Sequence, residues 1–272
     1  MPEIFLVFFS ILILSTFSFG QANDRSSHQL SSLNGAYHSY TELESELKKL
    51  ALNYPSIVRL CILGQSLENR NIYALKISNH PGRPENEPRV AFLGCHHARE
   101  WMSVEVPLQL ANYLIKNYDK DERVKAIVDS SEIWIVPLVN PDGLDYSILN
   151  YRLWRKNRRL NGDGSFGVDL NRNYSFGWGA DDSGSSPRPS SETYRGSQPF
   201  SEPETQAIRN LFLNVNFSAT ISYHSFSQSI LYPWSYADLP AEKEPLFQQL
   251  AADMAQLISQ VNGRIYYTGR SA

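Results

Sequence analysis

Apolar residues recur along this chain in two rhythms. Between Thr41 and Pro55 they fall at helical spacing, with Leu43, Leu47, Leu50 and Ala51 on one face, which predicts an amphipathic helix. Thr41 and Glu44 form a capping-box pattern at its start, and Pro55 ends it. Elsewhere they come as short strand-like runs: Ile57–Leu63, Ile72–Ile77, Val90–Leu93, Ile133–Val139 and Phe217–Tyr223. Ile133–Val139 is unbroken, which predicts a strand of a sheet buried on both faces. Asn69-Arg70-Asn71 joins the first two as a hairpin. Helical spacing returns over Val104–Tyr118, Asp121–Val128, Pro203–Leu213 and Lys243–Val261, with Ser201-x-x-Glu204 capping the third of these. Strands alternating with helices predict an α/β fold.

The rhythm fades in two places. Asn140-Pro141-Asp142-Gly143 reads as a turn. From Asn150 to Ser201 there is little periodicity, and Gly, Ser, Pro and Asp dominate Gly179–Ser191. A long irregular region inside a compact domain is usually functional. At the other extreme, Ile4–Phe19 is almost wholly apolar. It has the form of a secretory signal peptide, with cleavage near Gly20 or Ala22. Residues 1–22 are therefore set apart as a leader and 23–36 as a polar extension. The folded domain is expected over residues 37–272, in a secreted protein free of the membrane once the leader is removed.

Composition changes this picture little. The 272 residues carry 25 basic and 28 acidic side chains, a net charge of -3. No long basic run appears, which excludes a nucleic-acid partner. Two cysteines, Cys61 and Cys95, make no disulfide framework and read as buried free thiols. Asn161-Gly162-Asp163-Gly164 lacks the later ligands of a calcium loop and reads as a polar turn. Asn173-Tyr174-Ser175 and Asn216-Phe217-Ser218 are glycosylation sequons.

The candidate chemistry starts where Val90–Leu93 ends. Gly94-Cys95-His96-His97-Ala98-Arg99-Glu100-Trp101 brings imidazole and carboxylate out of a strand end together, the place where open α/β sheets bind ligands. His97 and Glu100 are related as i and i+3, His96 and Glu100 as i and i+4. Either pair converges if the segment turns helically. His224 ends another apolar run and supplies a third donor. Two imidazoles and a carboxylate suit a hydrolytic zinc with one position open for water. The irregular region adds Arg152, Arg155, Lys156, Arg158, Arg159 and Arg172. Arginine near a metal stabilises the oxyanion of an acyl-transfer intermediate or grips a carboxylate through two hydrogen bonds.

These stretches, taken jointly, resemble the zinc metallocarboxypeptidases of the carboxypeptidase A/B and T group. The likeness rests on Gly94–Ser103, Asn140–Gly143, Trp154–Arg158, Gly167–Asn173 and Ser222–Phe226, in matching order and separation. It extends from about residue 37 to the end of the chain. It implies a mixed, mostly parallel twisted sheet between helices. It also implies that His97, rather than His96, binds zinc with Glu100 and His224. Arg155 then polarises the scissile carbonyl and stabilises its oxyanion. Asn171 and Arg172 hold the terminal carboxylate of the substrate, Arg99 lines outer subsites, and Asp169 orients the first zinc histidine. The implied activity is removal of C-terminal residues from peptides or proteins, by a monomer.

The family pattern places its general-base glutamate in the last quarter, in a strand that nothing in this sequence matches. Glu242 and Glu244 stand at a helix start. The sheet is accordingly expected to lack its last strands and helix, leaving one face of Lys243–Val261 uncovered. A competing expectation is a catalytically impaired remnant that binds zinc and peptide. A hydrolase of amidated or cell-wall peptides is a third, against which the Asn171–Arg172 pair argues.

Overall fold

The computed structural model describes the backbone of Phe8–Leu12 and residues 37–271. In chain order the elements are β1 (Phe8–Leu12), α1 (Tyr40–Asn53), β2 (Val58–Gln65), β3 (Asn71–Ile77), β4 (Arg89–Leu93), α2 (Met102–Asn117), α3 (Glu122–Asp129), β5 (Glu132–Val136), α4 (Pro141–Leu149), α5 (Pro203–Asn214), β6 (Ala219–His224), β7 (Ser229–Tyr232), α6 (Glu244–Asn262) and β8 (Tyr267–Arg270). The eight strands form one sheet in the order β2-β3-β5-β4-β6-β1-β7-β8. β5, β4, β6 and β1 run parallel to one another, while β2, β3 and β7 pair antiparallel to their inner neighbours. The mixed, mostly parallel sheet expected from the resemblance is the one observed.

Helices cover both faces. Leu43, Leu47 and Leu50 of α1 and Val104, Leu108 and Ala111 of α2 pack with Leu75, Ile77, Ile133 and Ile135 on one side. Ala207, Ile208 and Leu211 of α5 pack with Ile72, Ala74, Ala91 and Leu93 on the other. β3 therefore gives consecutive residues to opposite cores, the physical reason that its sequence shows no alternation.

Helix starts differ from their sequence reading. α1 is capped two residues earlier, by a Ser39–Glu42 box. Glu44 is engaged elsewhere, accepting from the Tyr73 hydroxyl at 2.5 Å and the Lys48 ammonium at 2.9 Å. Ser201 does not cap α5; its hydroxyl donates to Glu202 Oε1 at 2.8 Å. Asn140–Gly143 is not a free turn. Asn140 caps α4, accepting from the Gly143 N–H at 3.0 Å, with Pro141 in the first turn. Proline there lacks only a donor that a helix start leaves unused.

The end of the chain also differs. β7 and β8 are short strands in segments without a clear apolar rhythm. α6 buries Phe247 and Ala251, whereas Leu246, Leu257 and Val261 are exposed by 53%, 62% and 85%. Within the segment set apart as a leader, Phe8–Leu12 occupies an inner sheet position, parallel to β6 and antiparallel to β7. An inner position needs backbone donors and acceptors on both edges, and an uninterrupted run free of proline supplies them. The leader's cleavage positions and the 23–36 segment lie outside the described residues. Among the described residues, no helix is long and apolar enough to cross a membrane.

Candidate active site

β4 and β6 are adjacent and parallel, with Leu93 opposite Ser222, so both chains leave the sheet at the same edge. β4 continues through α2 and α3 to β5 on one side, while β6 lies on the other. Such a reversal of strand order opens a crevice at the carboxyl ends. Gly94 passes through a gap with no room for a side chain, since a Cβ there would collide with the Ser103 and Pro137 carbonyl oxygens. Cys95 follows with a left-handed φ of 52°, and its N–H donates to Ser103 Oγ at 3.1 Å. This kink turns the next residues back over the strand end. Asn140 Nδ2 donates to the His96 carbonyl at 3.1 Å and the Lys156 carbonyl at 3.2 Å. The Ala98 N–H donates to the Arg155 carbonyl at 2.9 Å. Helix α4 and the arginine-rich loop are thereby tied to the strand end.

His97, Glu100 and His224 converge. One donor atom from each lies within 4.8 Å of the others, and all three residues are buried. Glu100 spans the two rings, with Oε1 2.8 Å from His97 Nδ1 and Oε2 3.0 Å from His224 Nδ1. The two Nδ1 atoms are 3.1 Å apart. Two imidazole nitrogens facing each other beside one carboxylate make a poor hydrogen-bonded set and a good cation site. With zinc–nitrogen bonds of about 2.0–2.1 Å, ligand nitrogens of a tetrahedral site lie roughly 3.3 Å apart. The outward nitrogens also have acceptors, as metal-binding imidazoles require. His224 Nε2 is 3.3 Å from Ser222 Oγ. His97 Nε2 is 3.3 Å from Asp169 Oδ1, a charge contact outside hydrogen-bond geometry. The donor set thus fits a zinc ion.

The electrostatics agree. Burial pushes the Glu100 carboxyl up, but His97 and His224 overcome it and hold it well below the carboxylate range. Burial lowers His97, and the Glu100 and Asp169 charges reverse this to leave it raised. Burial leaves His224 lowered. Metal binding needs both rings deprotonated at the ligating nitrogen, so cation binding at this cluster competes with protons.

Asp169 is the hub beneath this cluster. It is fully buried. Its Oδ2 accepts from Arg155 Nε at 3.0 Å and Nη2 at 2.9 Å. Its Oδ1 accepts from the Asn171 N–H at 3.0 Å, capping the 3-10 turn Leu170–Arg172. Arg172 donates through Nε to the Gly184 carbonyl at 2.7 Å and through Nη1 to the Asn171 carbonyl at 2.9 Å. Arg99 stands further out, with Nη1 3.5 Å from the Leu153 carbonyl and 4.0 Å from Glu192. One carboxylate therefore reaches His97, Arg155 and the backbone of Asn171.

The sequence pattern of the zinc carboxypeptidase family matches residues 43–272. The chain belongs to that family. It is 36% identical over 236 residues to carboxypeptidase A5 of Macaca fascicularis, covering 86% of this chain and 53% of that protein. It is 34% identical over 244 residues to carboxypeptidase B of Astacus astacus, covering 87% and 77%. The chain spans about half the length of the carboxypeptidases A4 and A5 and of the Trichophyton rubrum metallocarboxypeptidase A that it matches. Bovine thrombin-activatable fibrinolysis inhibitor, solved in complex with tick carboxypeptidase inhibitor, superposes with a TM-score of 0.77 at 31% identity, covering 86% of this chain and 76% of that one. Membership of a zinc-using family accords with the donor set.

Sequence reasoning left His96 and His97 open until the resemblance chose. Geometry separates them: His96 Nε2 is 2.7 Å from the Tyr174 hydroxyl, away from Glu100. It missed Asn140 as a structural tie, although an Asn-Pro pair ahead of apolar residues is a helix-start signal. It also missed Ser222, whose place two residues before His224 puts both on one face of β6. The Asn173 sequon is internal: Asn173 is fully buried and its Nδ2 donates to the Arg195 and Gln198 carbonyls. Asp163 Oδ1 accepts from the Ser165 N–H at 3.0 Å and hydroxyl at 2.6 Å, so that loop is a polar turn. Both cysteines are free thiols.

Proposed function

We propose that the protein removes C-terminal residues from peptides with a zinc ion held by His97, Glu100 and His224. The observation that carries this reading is the buried convergence of those three side chains on one point. Zinc in such a site lowers the pKa of bound water and polarises a carbonyl. The protein's own groups do the rest. Arg155 is fixed to Asp169 through Nε and Nη2, which leaves its Nη1 edge for the oxyanion of the scissile carbonyl. Asn171 and the open edge of Arg172 take the terminal carboxylate, so substrates with a free C-terminus are selected. Arg99 contacts residues further along the peptide. The working form is a monomer, and if Ile4–Phe19 directs secretion, its removal takes β1 out of the sheet.

The transfer of a proton from water to the leaving amine needs a base. Glu100 is held between two imidazoles and Asp169 by Arg155, so neither carboxylate touching the cluster is available. The resemblance assigns that role to a glutamate in the last quarter of the family pattern. A second reading is that zinc and peptide bind and turnover is slow, because both carboxylates touching the cluster among the described residues are already engaged. One preparation separates the two. Zinc content near one per chain, lost in His224→Ala, supports the site. Hydrolysis of a blocked dipeptide with a free carboxylate but not of its amide supports the exopeptidase reading. Full zinc content with no turnover supports the second reading.

A further inference from the structure

His96 is fully buried and lies next to a zinc ligand, yet the mechanism does not use it. Its ring stacks on that of His224, with centroids 5.9 Å apart. Both its nitrogens point at polar atoms. Nε2 is 2.7 Å from the Tyr174 hydroxyl and Nδ1 is 3.4 Å from Ser222 Oγ. That same oxygen is 3.3 Å from His224 Nε2. A line of polar atoms therefore runs from Tyr174 through His96 and Ser222 to the outward nitrogen of His224.

One self-consistent order of donors begins at the metal site, and in it every hydrogen meets a lone pair. If His224 gives its Nδ1 lone pair to zinc, its Nε2 carries hydrogen and donates to Ser222 Oγ. The Ser222 hydroxyl then has its own hydrogen to give, and His96 Nδ1 accepts it as a neutral ring. The other nitrogen, Nε2, then carries hydrogen and donates to Tyr174. His97 has a carboxylate, Asp169, to orient it; His224 has no comparable carboxylate on its outer nitrogen and depends on a hydroxyl.

We infer that Ser222, His96 and Tyr174 are positioning residues that fix the tautomer and ring angle of His224 for metal binding. The inference rests on the zinc-ligand reading above. The chemistry is neutral throughout, so the oriented ring gains little added charge. The histidine doublet His96-His97 then has two distinct duties, one ring on the metal and its neighbour holding the opposite ligand.

The test is zinc affinity of the full chain, by competition against a chromophoric chelator. Ser222→Ala is expected to weaken zinc about tenfold, the low end for loss of a ligand's outer partner, and Ser222→Thr to restore it to within about threefold. His96→Phe is expected to weaken it by a similar factor. The double variant should be no weaker than either single one, because both break the same line. Thermal unfolding of the metal-free Ser222→Ala chain should match the parent, which separates positioning from folding. If His96→Phe does not fold, Tyr174→Phe takes its place. An affinity for Ser222→Ala within about twofold of the parent overturns the inference, as does a double variant whose loss is the product of the two single losses. His224→Ala serves as the control on the reading beneath it. Undiminished zinc in that variant removes the ligand assignment and this inference together. Zinc lost there but indifferent to Ser222→Ala removes this inference alone.

Discussion

Asp169 and Glu204 are both carboxylates with no exposed surface, and they behave in opposite ways. Burial raises each. At Asp169 the His97 and Arg155 charges overcome burial and hold the group ionised far below the usual range. At Glu204 only its own backbone N–H and Asn157 oppose burial, while Glu202 and Asp142 add to it, and the carboxyl is pushed up to about 7. Asn157 Nδ2 donates to Glu204 Oε2 at 3.3 Å, and Oε1 has no partner. The nearby guanidinium of Arg159 is bound to Glu202 instead. Depth in the protein is the same for both. The presence of a cation decides which one becomes an anchor for the site and which one holds a proton near neutrality.

Removing the anchor gives the largest effect. Asp169→Asn leaves Arg155 and His97 without their counter-charge, a change that costs about 3–5 kcal/mol for a buried pair. Denaturant unfolding of the metal-free chain should show the loss, and zinc affinity should fall about 10–100-fold besides. An unchanged unfolding midpoint would make Asp169 and Glu204 equivalent after all.

Glu204→Gln works in the other direction. Because the folded pKa is raised from 4.5 to about 7, the folded state binds the extra proton. The group's contribution is complete below pH 4.5 and is lost as pH rises through 7. The amide needs no proton, so the variant should gain up to about 3 kcal/mol over the parent at pH 8 and little at pH 4. Urea unfolding at the two pH values measures the difference. A gain of equal size at both would point to packing rather than charge.

His38 supplies a milder case at the surface. Hydrogen bonding to Glu105 outweighs burial, and with Glu46 it raises the imidazole to about 9. Its contribution is complete below pH 6.5 and fades as pH rises through 9. Side chains here remain partly open to solvent, 24% for His38 and 34% for Glu46, so screening limits the effect. His38→Gln should flatten the stability profile between those values by less than about 1 kcal/mol. A steeper change would show that the surface pair couples to the interior.

The fold was legible wherever one rhythm dominated. Leu43, Leu47 and Leu50 marked α1, and the unbroken run Ile133–Val139, which holds β5, announced burial on both faces. β7 and β8 escaped because four-residue strands offer too short a window for any period. Pro141 concealed α4, since the same four residues satisfy a turn and a helix start. At the site, the ligand types were readable from where His97, Glu100 and His224 stood relative to strand ends. The choice of His97 over His96 was not, because it depends on a backbone kink at Cys95 that spacing does not record. Ser222 and Asn140 were hidden for a related reason: their partners are distant in sequence, and neither residue type is rare enough to stand out.

That kink carries a thiol. Cys95 is wholly enclosed, and burial raises its pKa well above that of a free cysteine, so an alkylating reagent reaches it only when the surrounding shell opens. Its modification rate is consequently a clock for breathing at the strand end. Mass spectrometry distinguishes it from the more accessible Cys61. Saturating zinc should slow the clock at Cys95 and leave the rate at Cys61 unchanged, since a ligand that binds only the closed form suppresses opening by mass action.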